Sequence, residues 1–192
     1  MSYYNSSDNV KSYIKMCADY DGSHLYTVLE KHASKDSTLL ELGMGPGNDL
    51  DHFAQQYAVT GSDLSAEFLN HAEEQYPHLP LLQLDALIID TLQQFDVVYS
   101  NKVLHHLTLD ELKRSCQRQQ NVIALNGLFA HTFWIGDKMS EMHVHGLFTL
   151  YHQRDLLVSL ISDYFEIVEL LDYAEFEEND SLFVVARNNK LP

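Results

Sequence analysis

Residues 39–50 read LLELGMGPGNDL. Leu39, Leu40 and Leu42 form a short apolar run around one acid, Glu41. The run breaks into the turn Gly43-Met44-Gly45-Pro46-Gly47, and a polar–apolar pattern starts at Asn48. A strand, a tight turn and a helix start give that pattern. Glycines in such a turn take positive φ and bring bare N–H groups close to a ligand.

Upstream, Val10, Tyr13, Ile14 and Cys17 share the helical spacing i, i+3, i+4, i+7, and so do Leu25, Val28, Leu29 and His32. Two short helices are expected, with Tyr20-Asp21-Gly22-Ser23 as the turn between them and Ser23 as an N-cap. Downstream, the helical stripe Leu50, Phe53, Ala54, Tyr57 leads to a strand at Ala58 to Asp63. Ser65 caps a helix carrying Phe68, Leu69 and Ala72, which ends before Pro77 and Pro80. Strands follow at Leu81 to Asp85 and Phe95 to Ser100. Thr108 with Glu111 forms a capping box for a helix through Leu125. Asn126-Gly127 stops that helix, and Leu128 to Trp134 is the fifth strand. Residues 135–151 read as irregular. A helix over Gln153 to Ser162 precedes an antiparallel strand pair, Tyr164 to Leu171 and Leu182 to Arg187.

Strands alternating with helices predict an α/β fold with a mostly parallel sheet and helices on both faces. At 192 residues, with no linker or repeat, a single domain is expected. Twelve basic against 28 acidic residues leave a net charge of −16. A phosphate backbone is repelled by such a surface, so nucleic acid is excluded as a partner. No apolar run approaches the ~18 residues of a membrane span. There is no signal pattern at the N-terminus, and Cys17 and Cys116 lack metal-like spacing, so a cytoplasmic setting is expected. The sequence is silent on oligomeric state.

Three acids fall at expected strand ends: Glu41, Asp63 and Asp85. A nicotinamide dinucleotide site would need G-x-G-x-x-G. Here the third glycine comes one position early, and the carboxylates would repel a pyrophosphate. S-adenosylmethionine carries no phosphate, and its amino group and sulfonium are attracted by carboxylates.

On these residues the chain resembles the class I S-adenosylmethionine-dependent methyltransferases over residues 36–188. LLELGMGPGNDL resembles the family's E-x-G-x-G-x-G motif, and GSDLSAEFLNHA its second strand and following helix. LQLDA resembles the adenine-contacting segment. FDVVYSNKVLHHLT with NGLFAHTFW resembles the fourth and fifth strands and the helix between them. The resemblance implies a Rossmann-like, doubly wound, seven-stranded sheet with an antiparallel C-terminal edge hairpin. It divides the chain into an N-terminal helical lid (1–35), a cofactor-binding half (36–134) and a substrate-side segment (135–192).

The resemblance further implies S-adenosylmethionine as cofactor and a small-molecule methyl acceptor. Glu41 falls near the methionine moiety, with Gly43, Gly45 and Gly47 passing close to the cofactor. Asp63 falls at the ribose, Leu64 beside the adenine, Asp85 and Ala86 at the adenine edge, and Ser100 and Asn101 at the methyl-donating end. His105, His143 and His145 are candidate bases, since an imidazole titrates near neutrality. Glu141, His143, His145 and His152 show no readable metal pattern, and no metal is expected. Among Tyr3, Tyr4, Tyr13 and Tyr20, Tyr20 is the expected lid residue and Tyr13 a member of its helix stripe. Lys102 departs from the family, where its position is often small or an amide. Two other readings share the glycine turn: a non-catalytic cofactor-binding partner and a nicotinamide oxidoreductase.

Overall fold

The computed structural model describes residues 3–144 and 147–189. Two helices come first, α1 (Ser7–Met16) and α2 (Ser23–Glu30). Then follow β1 (Thr38–Leu42), α3 (Asn48–Phe53), β2 (Ala58–Asp63), α4 (Ala66–Gln75), β3 (Leu81–Gln83) and β4 (Phe95–Ser100). The second half holds α5 (Leu109–Val122), β5 (Ile123–Trp134), β6 (Ser140–Val144), β7 (Leu147–Tyr151), α6 (Arg154–Ser162), β8 (Glu166–Tyr173) and β9 (Ser181–Arg187).

The main sheet runs β3-β2-β1-β4-β5-β9-β8. Strands β1 to β5 pair in parallel, and β9 inserts antiparallel between β5 and β8. This is the expected seven-stranded sheet with an antiparallel terminal pair. The order reverses between β1 and β4. The crevice beyond their carboxyl ends is where ligands bind in open α/β sheets.

Successive strand residues point to opposite faces. Leu40, Leu42, Val98, Phe129 and Val184 join one core with Leu112 and Cys116 of α5 and Leu157 and Ile161 of α6. Leu39, Val97, Tyr99, Ala130 and Val185 join another with Leu25 and Leu29 of α2 and Leu50 and Phe53 of α3. Each sheet face is thus buried, which explains the nearly continuous apolar runs of β1 and β4.

Four local expectations are corrected. Gly22, not Ser23, is the N-cap of α2; Ser23 is its first residue, and its N–H donates to Asp21 Oδ1 at 2.9 Å. The third strand stops at Gln83 rather than Asp85. Helix α5 ends at Val122 and β5 begins at Ile123, because the Asn188 amide donates to the carbonyls of Gln120 and Ile123 and closes the helix there. Asn126 (φ 66°) and Gly127 then form a bulge inside β5, where a Cβ on Gly127 would lie 2.8 Å from the Asp96 carbonyl. Finally, the stretch read as irregular holds the antiparallel pair β6–β7. Its outer residues Glu141, Met142 and His143 are exposed, so the apolar alternation that marks a half-buried strand is missing.

Candidate functional site

The glycine turn lies over the crevice. Gly43, Gly45 and Gly47 all have positive φ, at 66°, 52° and 83°. Gly43 also needs its lack of a side chain, since a Cβ there would stand 2.7 Å from the Val103 side chain. Gly47 is the left-handed N-cap of α3.

Carboxylates gather around this turn. Glu41 is 2% exposed, and its Oε2 has no hydrogen-bond partner. Burial, then the charges of Asp49 and Asp63, push its pKa well up. Asp49, in the first turn of α3, is buried as well. Its Oδ1 accepts from the Tyr26 hydroxyl at 2.5 Å, and its Oδ2 from Tyr99 at 3.3 Å. Burial raises its pKa despite these donors. A cationic ligand would relieve this crowding, whereas a pyrophosphate would worsen it.

Asp63 ends β2. Its Oδ2 accepts from the Gly45 N–H at 2.9 Å and its Oδ1 from the Ser65 N–H at 2.8 Å. The Leu64 N–H also acts on this carboxylate, and of its roughly four lone-pair sites at least one is left for a ribose hydroxyl. Burial raises its pKa, with these backbone donors opposing. Leu64 beside it is 56% exposed. Asp85 lies in the loop after β3, where Oδ1 accepts from the Leu87 N–H at 2.8 Å. The next residue, Ala86, presents its carbonyl to the Ser115 hydroxyl at 2.6 Å.

The N-terminal segment reaches the same place. The Ser65 hydroxyl donates to the Tyr4 carbonyl at 2.7 Å, and the rings of Tyr4, Tyr13 and Phe68 pack together at 5.2–5.9 Å between centres. Tyr13 does more than fill a helix stripe: its ring edge lies 3.8 Å from where a Cβ on Gly45 would stand. Tyr20 stands at the other end of the crevice, where its hydroxyl accepts from Asn101 Nδ2 at 2.5 Å.

Ser100 and Asn101 sit at the end of β4, opposite the glycine turn across the reversal of strand order. Ser100 starts a buried polar chain. The Gln119 amide donates to Ser115, so Gln119 Oε1 must accept from His131 Nε2 (2.8 Å), and His131 Nδ1 accepts from the Ser100 hydroxyl (2.7 Å). Ser115 in turn donates to Ala86, so the chain links the two ends of the expected cofactor site. Burial lowers the His131 pKa to about 3, which keeps it neutral.

The three candidate bases are placed differently. His105 is buried against His106 and Trp134, and burial holds its pKa far below the usual imidazole value. His143 stands exposed on β6, edge-on to Phe148 at 5.9 Å. His145 lies outside the described residues. Among the described residues no group of three or more His, Cys, Asp or Glu side chains could hold a metal ion. No helix there is long and apolar enough to cross a membrane.

Reading the sequence missed Asp49 with its two tyrosines, and the chain through His131. Asp49 carried a faint signal as an acid in a first helical turn. The partners of His131 lie 12 and 31 positions away and left none.

The sheet order and the glycine crevice define the class I methyltransferase fold. The Burkholderia thailandensis 1,6-didemethyltoxoflavin-N1-methyltransferase, solved with 1,6-didemethyltoxoflavin and S-adenosylhomocysteine, superposes with a TM-score of 0.79. It is 20% identical, and the match covers 96% of this chain and 87% of that one. The N-methyltransferase NodS of Bradyrhizobium japonicum, solved with S-adenosylhomocysteine, gives 0.73 at 15% identity, covering 97% and 100%. Residues 39–127 match the family described as a methyltransferase domain. An uncharacterized methyltransferase of Alkaliphilus oremlandii is 32% identical over 78 residues. That match spans 40% of this chain and about a third (36%) of the relative.

Proposed function

We propose that the chain is an S-adenosylmethionine-dependent methyltransferase acting on a small-molecule acceptor. One observation carries the reading: the orphaned Glu41 carboxylate, buried with Asp49 and Asp63 beneath three glycines at positive φ. Three buried acids suit a cofactor that is cationic and free of phosphate. Solved structures of this fold hold S-adenosylhomocysteine, and two of them are N-methyltransferases of small or peptide acceptors by name.

When bound, S-adenosylmethionine supplies a methyl group on a sulfonium that leaves as a neutral thioether. The chain's own work is positioning. Asp63 would hold a ribose hydroxyl with a free lone pair. Asp85 and Ala86, with Leu64, would border the adenine. Glu41, the glycine backbone, Ser100 and Asn101 would hold the methionine end. The segment 1–35 would close over the site through Tyr4, Tyr13 and Tyr20, and residues 135–192 would supply acceptor contacts. His105 and His143 remain candidate bases with His145, and His105 would act as a neutral imidazole. Cys17 and Cys116 are both free thiols, in keeping with a cytoplasmic setting.

Isothermal titration calorimetry with S-adenosylhomocysteine tests the cofactor, with NADH as control. Saturable binding of the first alone is expected. Binding of NADH without S-adenosylhomocysteine would reject the reading in favour of an oxidoreductase. Release of S-adenosylhomocysteine in the presence of small amine or hydroxyl acceptors separates an enzyme from a non-catalytic binding partner.

A further inference from the structure

Lys102 follows Asn101 in an unusual backbone state. Its φ is +54°, the left-handed region that a side chain disfavours. Such a residue persists only where its surroundings over-determine it. The surroundings here come from three strands, β5, β8 and β9. Its N–H donates to Thr132 Oγ1 at 2.8 Å, and that hydroxyl donates to Asn101 Oδ1 at 2.7 Å. Its Nζ donates to Ser181 Oγ at 2.6 Å and to the Phe133 carbonyl at 3.2 Å. The third N–H direction of an ammonium remains, and Nζ stands 3.5 Å from the centre of the Trp134 ring. The Tyr173 ring lies 5.3 Å away. All three protons of a charged lysine therefore have an acceptor, counting the indole face.

The contact extends outward. Ser181 Oγ donates to Asp180 Oδ1 at 2.7 Å, and the Asp180 carboxylate accepts the N–H groups of Glu175, Phe176 and Glu177. One ammonium thus ties the turn after β4 to the end of β5, the start of β9 and the β8–β9 loop. The same turn holds Asn101, whose amide is clamped between Thr132 and Tyr20.

We propose that Lys102 is a positioning residue for the methyl-transfer end of the site: its ammonium, shared by Ser181, Phe133 and Trp134, fixes the strained turn that presents Asn101 to Tyr20. The role rests on the cofactor reading above, because Asn101 matters only if that end of the crevice is occupied. The titratable groups facing Nζ are Glu175 and Asp180 from the β8–β9 loop, Tyr173 from β8 and His105 from the turn after β4. Burial of the amine outweighs the two carboxylates and lowers its pKa to about 7, so the tether loses its charge near neutrality. His105 is held neutral there, and the Tyr173 phenol is raised above its usual value by burial. Lys102 is then the group beside Trp134 that changes charge between pH 6 and 9.

Trp134 is the single tryptophan, so its emission reports on Lys102 directly. The experiment follows that emission from pH 6 to 9 in the wild type, Lys102→Met and Lys102→Arg, and measures S-adenosylhomocysteine binding for each at pH 6. The wild type should show one single-proton transition near pH 7, and both variants should be flat. Lys102→Met should bind about tenfold more weakly, the scale of one charged hydrogen bond, and Lys102→Arg should recover most of the loss. A flat wild type, or the same transition in Lys102→Met, overturns the proposal whatever the variants' folding. Unchanged binding in Lys102→Met, or equally weak binding in Lys102→Arg, overturns the positioning role. A wild type that shows the transition but binds no S-adenosylhomocysteine rejects the cofactor reading, leaving only a structural tether.

Discussion

Replacing Glu41 by Gln should move stability and cofactor binding in opposite directions. The side chain is fully buried with one oxygen unpaired, among two other carboxylates. Leaving a buried polar group unsatisfied costs about 1–3 kcal/mol, and more when it is charged. The isosteric amide removes the charge, so a gain of about 2 kcal/mol is expected in the ligand-free protein. At this chain length ~2–4 °C per kcal/mol converts that to about 4–8 °C in Tm.

The pH dependence fixes the sign. The folded-state pKa of Glu41 is raised above its unfolded value by burial and by Asp49 and Asp63. The folded state therefore binds more protons than the unfolded one, and stability falls as pH rises. The loss begins above the ordinary glutamate value of about 4.3 and is complete above the raised folded value. The variant should gain little at pH 5 and more at pH 8. Its affinity for S-adenosylhomocysteine should fall about 10- to 150-fold, for one charged hydrogen bond of about 1.5–3 kcal/mol. Differential scanning fluorimetry at both pH values gives the first result, and calorimetry the second. A Tm difference that does not widen with pH would show that the fold does not raise the Glu41 pKa. An unchanged dissociation constant would remove it from the cofactor site.

Asp63→Ala should weaken S-adenosylhomocysteine by about 1–3 kcal/mol, and an unchanged calorimetric Kd would reject the ribose role. His131→Phe strands the buried Ser100 hydroxyl and Gln119 carbonyl, so denaturant melts should show a loss of about 2–4 kcal/mol. A loss under ~0.5 kcal/mol would mean that the chain from Ser100 to Ala86 carries no weight. Thr108→Ala removes the hydroxyl arm of the capping box on α5, leaving the backbone N–H of residue 108 on Glu111, and should cost about 1 kcal/mol by the same melts; a neutral result would deny the box.

How much of this was legible depended on the range of the interaction that decides each feature. Strands β2 and β4 are read correctly to the residue, because both their faces are buried and their ends are marked by Asp63, Ser65 and Asn101 within a few positions. The capping box of α5 spans four residues and is equally plain. The end of α5 is not, because the group that closes it, Asn188, lies 65 positions beyond Ile123. The β6–β7 hairpin fails for another reason. It packs only one side of a short ribbon, and its exposed face carries no periodic apolar signal. Glu41, the glycines and Asp63 are contiguous enough in sequence to be named as a set.

Lys102 marks the boundary of that legibility. A lysine after a strand, read locally, is a solvated cation, and its departure from the family's pattern is all the sequence offers. The fold supplies the rest: Phe133 and Trp134 from β5, Tyr173 from β8 and Ser181 from β9. Those residues meet only because β9 runs antiparallel, which brings its first residue Ser181 to the end of β5 at Trp134. A parallel β9 would carry its last residue there instead and leave the ammonium without its hydroxyl. The antiparallel strand in an otherwise parallel sheet is therefore also what brings the Ser181 hydroxyl to the Lys102 ammonium. Under the proposed function, residues that set acceptor geometry are then expected where β5, β8 and β9 meet rather than in the glycine motif.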